Sequence, residues 1–321
     1  MLSRTADHLF WMARYTERAE NTARMLDVSL QTSLLPQSEA SVELLWRGIL
    51  GICELQPQYD ARFERLAAQS LLDFMTRDLS NPSSIASCLN AARENARAVR
   101  GTLTTEVWET INATWLELKA RLSTVEREPG QFFEWVKYRS HLSRGVTVGT
   151  MLRDEALYFS RLGTFLERAD NTARILDVRF HALADQGEPD AADENAGGRS
   201  IDFYHWAAIL RSVSAFEVYR KVYSDTITPA RVAELLILRA DMPRSLASCM
   251  NDVVGNLAQV GNAHSRETER RAGLLQADLQ YGRIDVILQQ GLHAYLTTFL
   301  QRVNDLADRV SRDFLVPLAT A

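Results

Sequence analysis

Apolar side chains recur every three or four positions along most of this chain. Leu9, Met12, Thr16, Ala19, Ala23, Leu26 and Leu30 trace one such stripe. Phe159, Leu162, Leu166, Ala169, Ala173, Leu176 and Phe180 trace a second, and Leu292, Leu296, Phe299, Val303, Leu306 and Val310 a third. This is the period of a helix with one buried face. Further helices are predicted near 40–55, 62–79, 83–100, 104–126, 131–144, 201–223, 229–239, 243–260 and 265–290. No segment alternates convincingly at period two. With 15 Gly and 8 Pro in 321 residues, turns are few, which suits long helices. The expected fold is an all-α helical bundle.

The pattern also repeats at long range. Residues 17–28 read ERAENTARMLDV and residues 167–178 read ERADNTARILDV, identical at ten of twelve positions. PSSIASCLN at 82–90 matches PRSLASCMN at 243–251 at six of nine, with Trp46 and Trp206 between the blocks. Two tandem diverged repeats are expected, 1–145 and 146–321, packed as one globular unit about a pseudo-twofold axis. The join falls between Glu128-Pro129-Gly130 and Gly149. The acidic segment 184–200 absorbs the growth in offset from 150 to 161 and reads as a mobile surface loop.

The polar side of the first stripe is preserved as faithfully as the apolar side. Glu17, Glu20, Asn21, Arg24 and Asp27 share an arc of roughly 120°, and Glu167, Asp170, Asn171, Arg174 and Asp177 reproduce it. A solvated face with i,i+4 pairs contributes only a few tenths of a kcal/mol and is free to drift after duplication. Three readings follow: a buried ionic network between the repeats, a docking surface for a partner or ligand, or a catalytic site. Structural ion-pair networks imitate active sites, and the network is the preferred reading.

Composition narrows the chemistry. The 46% hydrophobic and 24% charged content is ordinary for a globular protein, and the net charge of −5 comes without a basic, aromatic-interleaved stripe, which disfavours nucleic acid. No apolar run reaches membrane-spanning length. Cys53, Cys88 and Cys249 lack CxxC spacing, as expected of reduced thiols in a cytoplasmic protein. Cys88 and Cys249 occupy matching positions in small-residue stretches, where core packing is expected ahead of nucleophilic chemistry. No Glu-x-x-His pair supports a di-iron bundle, and neither a Gly-rich phosphate loop nor a GxSxG elbow occurs. No metal or cofactor is expected. His8 is expected at an interior or boundary position; the other five histidines are isolated in sequence. The tryptophans are read as core anchors.

The opening MLSRTADHLFWMARYTERAENTARMLDV, with RENARAVRGTLTTEVWETIN at 93–112 and TMLRDEALYFSRLGTFLERAD at 150–170, resembles the bacterial Alpha-E family, named for its helical fold and Glu-Arg motif. The motif stands here as Glu17-Arg18 and Glu167-Arg168. The resemblance covers almost the whole chain. It implies genomic company with a circularly permuted ATP-grasp-type protein and a transglutaminase-like protein, in a system for making or modifying peptide or amide bonds. Carried over by position, the polar residues of interest are Glu17, Arg18, Glu94, Asn95, Arg97, Arg100, Arg153, Asp154, Glu155, Glu167 and Arg168. Arg97 and Arg100 lie one turn apart, as an anion would require, and have no counterparts in the second repeat. The preferred function is an accessory or scaffolding protein that binds the ligase or its peptide substrate. The alternatives are an enzyme using Glu17 or Glu167 as acid/base beside carboxylate-binding arginines, and a structural homodimer joined through the polar arcs.

Overall fold

The computed structural model describes residues 1–184 and 196–315, with side chains described over 1–178 and 204–315. Among the described residues every regular element is helical: α1 Ser3–Ser33, α2 Glu39–Ile52, α3 Gln56–Asp60, α4 Ala68–Thr76, α5 Ile85–Ala98, α6 Thr105–Leu122, α7 Pro129–Thr150, α8 Glu155–Ala184, α9 Ala196–Ser212, α10 Phe216–Tyr223, α11 Pro229–Ile237, α12 Leu246–Val260, α13 Arg266–Gln280, α14 Ile284–Gln290 and α15 Leu292–Val310, closed by a π turn at Ser311–Leu315. No helix among the described residues is long and apolar enough to cross a membrane. Of the acidic segment read as a loop, residues 185–195 lie outside the described residues, as do the side chains of Phe180 and His181.

The two longest helices, α1 and α8, pack against each other at the centre. α5 and α7 flank α1; α12 and α15 flank α8. The second matched sequence block is a helix start. Ser84 and Ser245 accept from the amides of Ser87 and Ser248 at 3.1 and 3.0 Å, which satisfies orphan N–H groups at the heads of α5 and α12. Behind those caps Cys88 and Cys249 are fully buried, and burial pushes each thiol up to about 12.

Several predicted helices are broken where the sequence gives little warning. The helix expected over 40–55 ends at Ile52, and the one expected over 201–223 splits after Ser212. At each corner a non-glycine residue takes the left-handed conformation, Glu54 at φ 56° and Ser214 at φ 54°. The next amide then reaches back five residues, Leu55 to the Leu50 carbonyl at 2.8 Å and Ala215 to the Leu210 carbonyl at 2.7 Å. That bond closes a Schellman-type end, in which glycine normally occupies the left-handed position. The stretch expected over 62–79 is helical only from Ala68 to Thr76, and the stretch over 265–290 breaks after Gln280. α7, by contrast, runs past the predicted 144 to Thr150.

Two apolar cores result. One draws only on residues 19–136, with Leu26, Trp46, Tyr59, Phe74, Phe132 and Trp135 among them. The other joins the start of α1, through Leu9, Phe10 and Met12, to α8 and the helices after it. α1 therefore lies between the two cores, with Leu9 and Met25 in one and Ala19 and Leu26 in the other, and its middle is covered on all sides rather than along one stripe. α1 and α8 approach closely at Gly163, where an added Cβ would fall inside the contact radius of the Phe10 carbonyl oxygen. A Gly163→Ala substitution gains about 1 kcal/mol of helix propensity. It is nevertheless expected to destabilise the protein by about 1–3 kcal/mol through overpacking. Urea unfolding of the variant beside wild type measures this; a gain in stability would show that the helices separate freely.

Candidate functional site

The polar arc of α1 is buried. Glu17, Glu20, Asn21 and Asp27 are at most 5% exposed, so the solvated-face reading fails. What they meet is Arg168 of α8, two further arginines, Arg144 and Arg244, and Lys137.

The Glu-Arg motifs are exchanged between the two central helices. Arg168 of α8 donates through Nε to Glu17 Oε1 at 2.9 Å and through Nη2 to Oε2 at 3.0 Å. Arg18 of α1 donates through Nε to Glu167 Oε1 at 2.6 Å and through Nη2 to Oε2 at 3.1 Å. Each glutamate thus holds the other helix's arginine in the same two-bond fork, the strongest geometry available to this pair of side chains. Both pairs lie where the cost of an unpaired charge is severe.

Each exchange is the core of a larger cluster. At the first, Glu17 also accepts from Arg244 Nη1 at 2.9 Å and Arg144 Nη1 at 2.8 Å. Glu20 accepts from Arg24 Nε at 2.9 Å, Arg244 Nη2 at 2.5 Å, Ser140 Oγ at 2.7 Å and Arg144 Nη1. Asn21 Oδ1 takes a further bond from Arg244 at 2.9 Å. At the second, Glu167 accepts from Arg14 Nε at 2.8 Å. Arg174 donates to Asp170 at 2.7 Å and to Glu54 at 2.5 Å. Arg24 and Arg174 stand at matching positions. Each spans from its own helix to a left-handed corner, Arg24 to the Ser214 hydroxyl at 2.6 Å and Arg174 to the Glu54 carboxylate. A non-glycine residue in that conformation costs roughly 1–2 kcal/mol, and at both corners its side chain meets an arginine.

Charge follows geometry. Burial pushes the Glu17 carboxyl up, but Arg168, Arg244 and Arg144 outweigh burial and the repulsion of Glu20, and hold it at about 2 against an ordinary 4.5. Glu20 is likewise held well below its ordinary value, its burial overcome by Arg244, Arg144 and Arg24. At Glu167 burial is overcome by Arg14 and Arg18. Asp170 behaves oppositely: burial dominates over Arg174 and raises it, and its Oδ1 is buried without a hydrogen-bond partner.

The remaining sequence candidates lie elsewhere. Asn95 meets His8 Nδ1 at 2.8 Å, at the half-buried edge of α1. Glu94 is paired with Arg93 and Arg97, while exposed Arg100 lies over the Trp108 ring. Asp154 caps α8 by accepting from the Ala156 amide at 3.0 Å; Arg153 and Glu155 beside it are exposed. Asn171 is half-buried at the α8 surface. Sequence reasoning missed Arg14, Glu54, Ser140, Arg144 and Arg244. Arg14 stands one turn before Arg18, and Arg244 replaces Ser83 within an otherwise matched block. Those two carried a signal; Glu54, Ser140 and Arg144 lie outside the repeated blocks and carried none. His141, isolated in sequence, sits between Arg24 and Arg144 at 3.1 and 2.6 Å.

The Alpha-E family model, described as a predicted alpha-helical domain with a conserved ER motif, matches residues 1–315. An uncharacterised protein of Mycobacterium bovis and one of Mycobacterium tuberculosis are each 24% identical over 340 aligned positions. The match takes in 95% of this chain and 36% of each relative, so the chain spans about a third of the length of these curated relatives. No solved structure matches it.

Glu17→Gln removes the one carboxylate that Arg168 pairs with and leaves Arg144 and Arg244 to share Glu20, and it is expected to cost about 3–5 kcal/mol at neutral pH. The wild-type carboxyl is depressed in the folded state, so its contribution is complete above the ordinary 4.5 and is lost as pH falls toward about 2. Denaturant unfolding across that window should show wild-type stability falling with acid, with a shallower fall in Glu17→Gln. Equal slopes in the two proteins would contradict the assignment.

Proposed function

The chain belongs to the Alpha-E family, and from that premise we propose that it is a non-catalytic accessory component of an ATP-grasp-associated system that makes or modifies peptide or amide bonds. It would act in the cytoplasm, holding the ligase, its peptide substrate, or both. The observation that carries this reading is the fate of the Glu-Arg motif. Glu17 and Glu167, the acid/base candidates of an enzymatic alternative, each accept an arginine fork from the other central helix. Both are held ionised at neutral pH, and a carboxylate so paired has no proton to give and little basicity to offer. The homodimer alternative is disfavoured, because Glu17, Glu20, Asn21, Asp27 and Glu167 are buried within one chain.

Two further observations favour a part over a whole. The mycobacterial relatives extend well beyond the region they share with this chain, as expected of a unit that works beside other domains. The order of helices from α1 to α7 also returns from α8 to α15, with α14 as the addition. Duplication into repeats 1–145 and 146–321 accounts for that order, and a doubled helical unit offers a broad, rigid surface. The partner surface we propose is the end of α5 and the turn after it, where Arg97 and Arg100 are exposed.

Affinity purification of the tagged chain from its own cells, with mass spectrometry, tests the reading. Wild type should retain an ATP-grasp-type protein or a transglutaminase-like protein, and Arg97→Glu/Arg100→Glu, with unchanged helicity, should lose it. Retention of neither partner by wild type, including in the presence of ATP, would refute the accessory role.

A further inference from the structure

The two Glu-Arg clusters have matching cores but unequal charge. Around Glu167 three carboxylates, Glu54, Glu167 and Asp170, meet three guanidinium groups from Arg14, Arg18 and Arg174. Around Glu17 two carboxylates, Glu17 and Glu20, meet four, from Arg24, Arg144, Arg168 and Arg244. Glu17 cannot absorb the surplus. Its two oxygens already accept four bonds, about the capacity of a carboxylate.

A cavity of about 230 Å³ opens directly on this surplus, between α1, α7 and α8. Glu17, Arg144, Arg161 and Arg168 line its polar side, and Met12, Leu157 and Phe165 its apolar side. Arg161 gives one bond to Asp252 at 2.7 Å, but its Nε is buried without an acceptor. Guanidinium edges in excess of their carboxylates, beside an apolar wall, suit an anion attached to a hydrocarbon body. The volume is below the roughly 300–1,000 Å³ of a typical small-molecule site, which limits the occupant to about one residue.

We propose that this cavity binds the carboxylate end of a peptide or amino acid, with Arg144 and Arg161 holding the carboxylate and Met12, Leu157 and Phe165 receiving one apolar side chain. A carboxylate there brings the cluster toward the balance that Glu54 provides at the other centre. The proposal rests on the accessory reading for its biological setting and gives that reading a substrate class: a free carboxylate, the group an amide-forming system consumes. A bare phosphate would leave the apolar wall unfilled and is not the assigned ligand.

Calorimetric titration of the full chain with N-acetyl-leucine, N-acetyl-leucinamide and inorganic phosphate tests it. The acid should bind saturably and weaken with salt. The amide, which lacks the charge, should bind at least about tenfold more weakly, as should the acid to Arg161→Gln, since each loses a charge-assisted bond. Val148→Trp, an exposed change at the cavity wall, should block binding with its melting curve unchanged. Equal binding of acid and amide, phosphate binding without acid binding, or no binding to wild type would each overturn the site. Partner capture by wild type, run beside the titrations, separates the two claims. Failure of acid binding with the ATP-grasp-type partner still captured removes only the cavity proposal; normal acid binding with no partner captured by wild type removes only the accessory reading.

Discussion

A carboxylate in a protein interior must be met by a positive charge or give up its own, since desolvation alone costs several kcal/mol per ion. In this fold that requirement falls on the two longest helices at their point of contact. Glu17 and Glu167 are each met by an arginine from the opposite helix, in the same two-bond geometry. Neither helix satisfies its own motif. α1 and α8 must therefore meet in one register for the two forks to close, while Arg144 and Arg244 add to the pairing of Glu17 from outside that helix pair. Buried ion pairs contribute less to net stability than their number suggests, and their best-attested use is to fix an arrangement. Here the exchange fixes how the helices cross, while Gly163 permits the approach and the two apolar cores supply the bulk of the burial.

From this shared core the two clusters diverge through a few residues. A left-handed corner presents Glu54 to Arg174 at one end and Ser214 to Arg24 at the other. Arg144 and Arg244 enter only the cluster around Glu17. One cluster is thereby balanced and the other left cationic beside a cavity.

The helical class and the two matching stripes that form α1 and α8 were legible in the sequence, because helical period and a twelve-residue repeat are local signals. The repeat disclosed that the polar arc was constrained, and the buried-network reading followed from its fidelity. The pairing itself was not legible: nothing local shows that Arg18 serves Glu167 while Arg168 serves Glu17. The corners at Glu54 and Ser214 were hidden for another reason. Glycine is the usual mark of a left-handed helix end, and here that conformation is taken by residues whose side chains reach an arginine. Arg144 could not be singled out because its helix lies outside the repeated blocks, and its role depends on packing α7 against α1.

The central claim is that the exchanged forks couple α1 to α8 energetically. A double-mutant cycle on Glu17 and Arg168, with Glu17→Gln, Arg168→Met and the pair, measures that coupling by denaturant unfolding. The account predicts an interaction energy of about 1.5–3 kcal/mol, because each single change strands a buried partner that the double change removes. Additive losses, within about 0.5 kcal/mol, would mean that the two side chains are neighbours without being partners and would contradict it.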